Sequence, residues 1–214
     1  MRYLSVFDLD RTLLSTNSSY RFAQYLFEKG IFSSYHLVYS LFHRVRFELL
    51  DLSLREFHES LFRGVLQGAV LEEIEAHVEG FLERCLPRRV YYPAYSALRL
   101  AQHLGHHTAI LSNAPQFLVR PFARYFGVDF GQGTEYEVDK DGCLCNIANL
   151  MEGTAKARCL VEMREGLKIS RENTIAYTDS YHDLPLLLEA GQPCVVNPDT
   201  KLLRLAKHHR WSVI

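Results

Sequence analysis

Hydrophobic positions along the chain follow two rhythms. Four short, nearly unbroken apolar runs each end on a polar residue: 3–7 before Asp8, 108–111 before Ser112, 174–178 before Asp179, and 194–196 before Asn197. Runs without polar alternation suit strands covered on both faces, as in a parallel sheet. Helical patterns lie between them, over 94–104, 115–126, 154–165 and 184–190, and Gly105, Gly127, Gly166 and Gly191 stand where those helices should stop. The alternation predicts an α/β fold, a doubly wound and mainly parallel sheet. In open sheets of this kind ligands bind beyond the carboxyl ends of the strands, so Asp8, Ser112, Asp179 and Asn197 are expected to converge on one surface.

The segment from 15 to 86 reads differently: it is aromatic-rich and helical throughout. Leu71, Ile74, Val78, Phe81, Leu82 and Cys85 mark one face of a helix that Pro87 should stop. Ser53 and Glu56 form a capping box opening another, and 20–28, closed by Gly30, and 32–49 supply two more. The expected organisation is a catalytic core of 1–14 and 87–214 with a helical cap, 15–86, inserted after the first strand, and Gly30 and Pro87 as boundary or hinge candidates. Residues 136–146, with Asp141-Gly142 in the middle, read as a β-hairpin.

Charge and cysteine content narrow the classes. Lys plus Arg total 24 against 25 Asp plus Glu, which leaves no basic footprint for nucleic acid. The five cysteines form no Cys-x-x-Cys pair and fit a reducing compartment. The apolar run before Asp8 is too short for a signal or a membrane span, and His36, His43, Arg44, Arg46 and Glu48 interrupt 31–50, so no stable membrane insertion and a cytoplasmic location are expected. Composition leaves the oligomeric state open. The last residues, including His208, His209 and Arg210, read as a solvated end.

The chemistry sits at the strand ends. Asp8 and Asp10 lie on one side of an extended chain and repel each other, a conflict relieved by protonating one or by binding a hard cation such as Mg²⁺. Asp179 and Asp183 add two acids at another strand end. Lys156, near a helix start, can reach a bound phosphate, and Ser112 and Asn113 offer a hydroxyl and a backbone N–H. Singly, each has a plainer reading: helix-capping acids, a solvated lysine, a turn serine. Taken in order, Asp8-x-Asp10-x-Thr12, Ser112, Lys156 and Asp179-x-x-x-Asp183 resemble the four motifs of the haloacid dehalogenase superfamily of phosphohydrolases. The helical insert, and Asp183-Leu184-Pro185 followed by Asn197-Pro198-Asp199, resemble its phosphoserine phosphatase branch.

That resemblance implies a Mg²⁺-dependent phosphatase acting on a small phosphorylated metabolite. Asp8 would attack phosphorus and bind the metal. Asp10 would act as general acid and then base, with its backbone carbonyl on the metal. Asp179 would be a direct ligand, and Asp183 would orient a metal-bound water or Lys156. Thr12, Ser112, Asn113 and Lys156 would hold the phosphoryl oxygens. A lipid or protein phosphate is an alternative substrate. A phospho-accepting signalling domain is a competing class, which the motif order and the insert disfavour. Phe57-x-x-Ser60-Leu61 matches the branch, but Gly64 stands where its carboxylate-gripping arginine is expected, with Arg63 one residue away. Asn17 replaces the expected acid, and His182 an asparagine. Phosphoserine is therefore not expected to be the best substrate, and Asn17, Arg63 and His182 are candidate substrate contacts. The aromatic residues Phe22, Phe32, Tyr35, Tyr39, Phe42, Phe47 and Phe62 are expected to fill the bundle core rather than line a site.

Overall fold

The computed structural model describes residues 2–50 and 53–214. Among these, one sheet contains β1 (Leu4–Phe7), β2 (His107–Pro115), β3 (Phe130–Val138), β4 (Leu144–Asn149), β5 (Thr174–Thr178), β6 (Gln192–Val195) and β7 (Ser212–Val213), side by side in the order 4-3-2-1-5-6-7. Neighbours run parallel except β3 and β4, which form the antiparallel hairpin that Asp141-Gly142 announces. β1 is central, its Phe7 paired with Ile110 on one side and Tyr177 on the other. The period of two divides its side chains between two cores. Leu4 and Val6 join Ala109, Leu111 and Ala176 on one face, while Phe7 and Ile110 join Leu118 and Phe122 on the other.

Helices α6 (Tyr92–His103) and α7 (Gln116–Phe126) connect β1 to the hairpin side of the sheet. α8 (Gly153–Gly166), α9 (Leu184–Glu189) and α10 (Thr200–His209) serve the other. Gly127 ends α7 in the left-handed conformation, φ 65°, that a side chain would resist. Two elements depart from the sequence reading. His208, His209 and Arg210 are exposed as expected, but the chain end is also structured: 200–209 is helical, and Ser212–Val213 adds an exposed seventh strand to β6. Pro87 does not stop its helix. The pattern from Leu71 to Cys85 is split at Ala76–His77 into α4 (Leu71–Glu75) and α5 (Val78–Arg89), and α5 runs on through Pro87, giving up that residue's bond to the preceding turn. As a hinge it would have to bend a helix.

The inserted segment also carries α1 (Ser18–Glu28), α2 (Ser34–Leu50) and α3 (Leu54–Leu61), the last opened by the Ser53–Glu56 capping box and continued by a π-helical turn, Phe62–Leu66. Its two ends run side by side. Leu14 and Val90 form an antiparallel bridge, Ser15 N–H donates to the Arg89 carbonyl at 2.7 Å, and Tyr91 N–H donates to the Leu13 carbonyl at 2.8 Å. The insert shares its core with the body: Phe22 packs on Phe81 (ring centroids 5.2 Å apart) and on Phe117 of α7 (6.2 Å), and Phe81 meets Phe122 edge-on. Of the aromatic candidates, Phe22, Phe32 and Phe62 are buried, whereas Tyr35 and Phe42 are more than half exposed. The side chain of Phe47 lies outside the described residues.

Gly153 fixes one contact on which the strand-end surface depends. A Cβ there would overlap the carbonyl oxygen of His182, so only glycine lets the first turn of α8 lie against the turn 181–183. Gly153→Ala is expected to destabilise the fold by about 1–3 kcal/mol, as overpacking does, with the denaturant midpoint lowered and the slope unchanged. An unaltered midpoint would show that this turn is free to give way.

Candidate active site

Beyond Phe7 the chain leaves the sheet. Asp8 is anchored by its N–H to the Tyr177 carbonyl at 2.8 Å, and the backbone then turns through Arg11, which adopts φ 60°. Leu14 N–H returns to the Leu9 carbonyl, so Asp8, Asp10 and Thr12 lie within one tight loop. A non-glycine residue at positive φ costs energy that the surrounding hydrogen bonds must hold in place.

Lys156 is the centre of the site. It rises from the first turns of α8 and is 1% exposed. Its Nζ donates to Asp8 Oδ1 at 2.6 Å and to Asp183 Oδ2 at 2.7 Å. Asp183 also accepts from Thr178 Oγ1 at 2.8 Å, which ties the end of β5 to the same ammonium. Burial works against the charge on Lys156, but Asp183 and Asp8 outweigh it and keep the amine protonated. Asp8 is pushed up to about 7, chiefly by burial and further by repulsion from Asp183 and Asp10, against the opposing pull of Lys156. Asp179 is pushed up to about 8 by burial and by the charges of Asp8 and Asp183. Burial also raises Asp10, against the hydrogen bonds from Ser18; Ser18 N–H donates to Asp10 Oδ1 at 2.8 Å. Thr12 Oγ1 points to Asp179 Oδ1 at 3.5 Å.

These acids outnumber the cation among them, a charge excess that suits a hard divalent ion with oxygen ligands. No group of three His, Cys, Asp or Glu side chains stands ready as a metal cluster among the described residues. The Asp10 carboxylate is turned to Ser18, Asp183 spends one oxygen on both Lys156 and Thr178, and Asp8 binds Lys156 through Oδ1 alone, so Asp8 Oδ2 and the Asp179 carboxylate are the side-chain oxygens a metal would use. Remaining positions would fall to backbone carbonyl and water, as is usual for Mg²⁺.

Over the acids lies a cavity of about 320 Å³ whose wall includes Asp8, Asp10, Asn17, Ser112, Asn113, Lys156, Asp179, His182 and Asp183. Ser112 is buried and its Oγ accepts from Ala114 N–H at 3.2 Å. Asn17 caps α1, its side chain accepting from Tyr20 N–H at 2.8 Å, while also facing the cavity. Two expectations fail. Arg63 points away: its guanidinium pairs with Glu59 at 3.5 Å and lines a separate groove of about 570 Å³ with Arg55 and Arg158. One residue along a helix is a rotation of about 100°, which puts it on the outer side. A side chain at Gly64 would in turn collide with the Tyr39 ring. Asn197 does not reach the cavity wall. It takes φ 40° and its N–H bonds the Ile214 carbonyl, while Asp199 accepts from Tyr181 N–H at 3.0 Å and so props the turn behind Asp179.

The structure also brings in residues that periodicity assigns to no site: Phe57, His58 and Leu61 of α3, Phe117 of α7 and Tyr136 of the hairpin. Tyr136 stacks on Phe62 at 5.3 Å and 11°. Phe22, Phe32 and Phe62 line the cavity as well as the core, so the two expected roles of the aromatics coincide there. For the α3 residues the sequence signal is Phe57-x-x-Ser60-Leu61, which matches the family branch; His58 carries none.

The haloacid dehalogenase-like hydrolase family matches residues 5–188. A histidinol-phosphatase of Neisseria meningitidis is 30% identical over 224 residues, covering 100% of this chain and 99% of that protein. The phosphoserine phosphatase SerB1 of Mycobacterium tuberculosis is 25% identical, covering 97% of this chain and 68% of its own. Among solved structures, a Bordetella pertussis protein of unknown function superposes with a TM-score of 0.85 at 25% identity, covering 100% of this chain and 98% of that one. A substrate-bound phosphoserine phosphatase gives 0.74 at 18%, covering 100% and 93%, a likeness of fold. With its match spanning most of the chain and including the acids and lysine just described, the chain belongs to the haloacid dehalogenase-like hydrolases and is a phosphatase of that family.

Proposed function

We propose that the chain is a Mg²⁺-dependent phosphomonoesterase that works through an aspartyl-phosphate on Asp8, with a small phosphorylated metabolite as substrate. The observation that carries this reading is the buried Lys156 ammonium held between Asp8 and Asp183 at the floor of the cavity. When bound, Mg²⁺ supplies charge neutralisation and polarises a phosphoryl oxygen. Asp8, Asp179 and the Asp10 carbonyl would hold it.

The rest is done by the chain. Asp8 attacks phosphorus while the bond to the ester oxygen breaks, and Asp10, whose burial favours the protonated form, protonates the departing alkoxide. Asp10 then takes a proton from water as that water attacks the phosphorus of the aspartyl-phosphate, releasing inorganic phosphate and restoring Asp8. Lys156, Ser112, Thr12 and the Asn113 N–H hold the phosphoryl oxygens, and Asp183 orients Lys156. The cavity volume falls within the range of small-molecule sites, and its upper wall is aromatic. A leaving group with an apolar or ring-bearing body suits that wall. Histidinol phosphate, the substrate in the name of the Neisseria relative, has such a body. The outward turn of Arg63 and the Tyr39 ring against Gly64 leave no arginine of this helix for a substrate carboxylate. Asn17 and His182 remain contacts on the substrate side.

Wild-type protein is expected to hydrolyse p-nitrophenyl phosphate with Mg²⁺ and to lose that activity in EDTA. Asp8→Asn should show no turnover, and Asp10→Asn should lose about 10²–10⁴-fold in kcat, mainly in release of phosphate from the intermediate. Steady-state and burst kinetics read both, and an active Asp8→Asn would reassign the nucleophile. In a panel of phosphomonoesters, kcat/KM for histidinol phosphate should exceed that for phosphoserine; the reverse order would show that other groups supply the carboxylate site.

The raised carboxylates also set a pH trend. In the folded, metal-free protein Asp8 and Asp179 retain protons up to about 7 and about 8, whereas the unfolded chain releases them near 3.8. Their contribution to stability is complete below that unfolded value and is lost as pH rises through 7 and 8. Thermal melts in EDTA should therefore lose stability from these groups between pH 5 and 9, and Mg²⁺ should raise Tm more at pH 8.5 than at pH 5.5. Equal Mg²⁺ increments at both pH values would contradict the placement of the metal on these acids.

A further inference from the structure

We propose that His58 is a specificity-determining residue whose imidazole accepts a hydrogen bond from a donor group on the leaving alcohol of the substrate. The assignment rests on the phosphomonoesterase reading and adds to it a residue outside the motif set. His58 projects from α3 into the cavity wall, on the inserted segment, facing the Lys156 side of the site. Its recorded neighbour is the ring of Phe57, edge-on at 5.8 Å, and among the described residues no hydrogen bond reaches either ring nitrogen. A partly buried imidazole without a protein partner leaves a polar group to be satisfied by what enters the cavity.

The chemistry of that partner follows from the ring's state and from the opposite wall. Burial first, and the Lys156 ammonium second, push His58 down to about 4, so near neutrality it is an uncharged ring with one accepting nitrogen. A cationic imidazole would repel an amine; the neutral one receives it. Asn113 of the same cavity wall has a buried Oδ1 that also lacks a partner among the described residues. Two acceptors without protein donors, His58 on the insert and Asn113 within β2, suit a ligand that brings donors. An amino group carried near the ester oxygen meets that requirement, whereas a plain alkyl phosphate offers His58 no donor, and a site built to pair with a polar group typically loses about tenfold or more against an analogue that lacks it.

The test compares paired substrates that differ only in the amine: histidinol phosphate against its deaminated imidazolylpropyl counterpart, and phosphoethanolamine against ethyl phosphate, each with wild type, His58→Leu and His58→Asn. The quantity read is the ratio of kcat/KM within a pair, which does not depend on how much of a variant folds. Wild type should favour the amine by tenfold or more in at least one pair. In His58→Leu that ratio should fall at least tenfold, and His58→Asn, which keeps an acceptor, should recover part of it. A merely structural role for His58 would scale both members of a pair together and leave the ratio untouched, which overturns the assignment. So does a wild type that hydrolyses p-nitrophenyl phosphate yet prefers no amine. Absence of turnover with every ester would instead strike at the phosphomonoesterase reading.

Discussion

A single ammonium ion, withdrawn from water and shared by two carboxylates, holds the strand-end surface together. Lys156 comes from α8, Asp8 from the end of β1 and Asp183 from the turn after β5, so their contacts join three elements remote in sequence. Such a group is costly to bury and costlier to break: removing one partner of a buried ion pair typically destabilises by about 3–5 kcal/mol, because an uncompensated charge remains. Much else follows from bringing α8 close enough for the lysine to reach. Gly153 must lack a side chain, the 181–183 turn must present its carbonyl to that glycine, and Asp199 must support the turn from behind.

The same arrangement leaves charge unbalanced on purpose. Asp8, Asp10 and Asp179 are buried beside a cation already shared with Asp183, and burial first, with mutual repulsion added for Asp8 and Asp179, raises their pKa values. An active site so charged is poor at being empty and good at accepting positive charge, whether protons or a metal. Asp10 resolves part of the crowding by hydrogen-bonding the N–H of Ser18 at the start of α1. The residue proposed to move protons is thereby linked to the segment that covers the cavity.

How much of this was legible in the sequence depends on the range of the signal. The strands and the acids at their ends are readable because an apolar run followed by a polar residue is a local pattern, and β5 appears at 174–178 as expected. The hairpin is readable from Asp141-Gly142 for the same reason. Pro87 misleads because the packing of α5 by Val78, Phe81, Leu82 and Cys85 carries the helix past it, and the seventh strand is missed because two exposed residues carry no pattern at all. Asn197 misleads because a polar strand end need not face the ligand: its left-handed backbone turns the chain aside, and the benefit reaches the site through Asp199. His58, Phe117 and Tyr136 lie on three elements whose meeting is decided by tertiary packing, so nothing within each element marks them. Arg63 is the converse, a plausible charge whose side of the helix can be seen only once the helix is docked.

The paired strands of chain at Leu13–Ser15 and Arg89–Tyr91 give the insert a narrow neck. Because the chain leaves and re-enters the body at adjacent points, a change in the length of the intervening helices leaves the span across the neck unaltered, and loop-closure cost grows only slowly with length. The acids and the lysine lie on the body side of that neck, whereas Phe57, His58, Leu61 and Phe62 lie beyond it. The part of the cavity wall that the insert supplies can therefore change in length and sequence without moving the acids and the lysine of the body, while Phe117 and Tyr136 remain as the body's share of that wall.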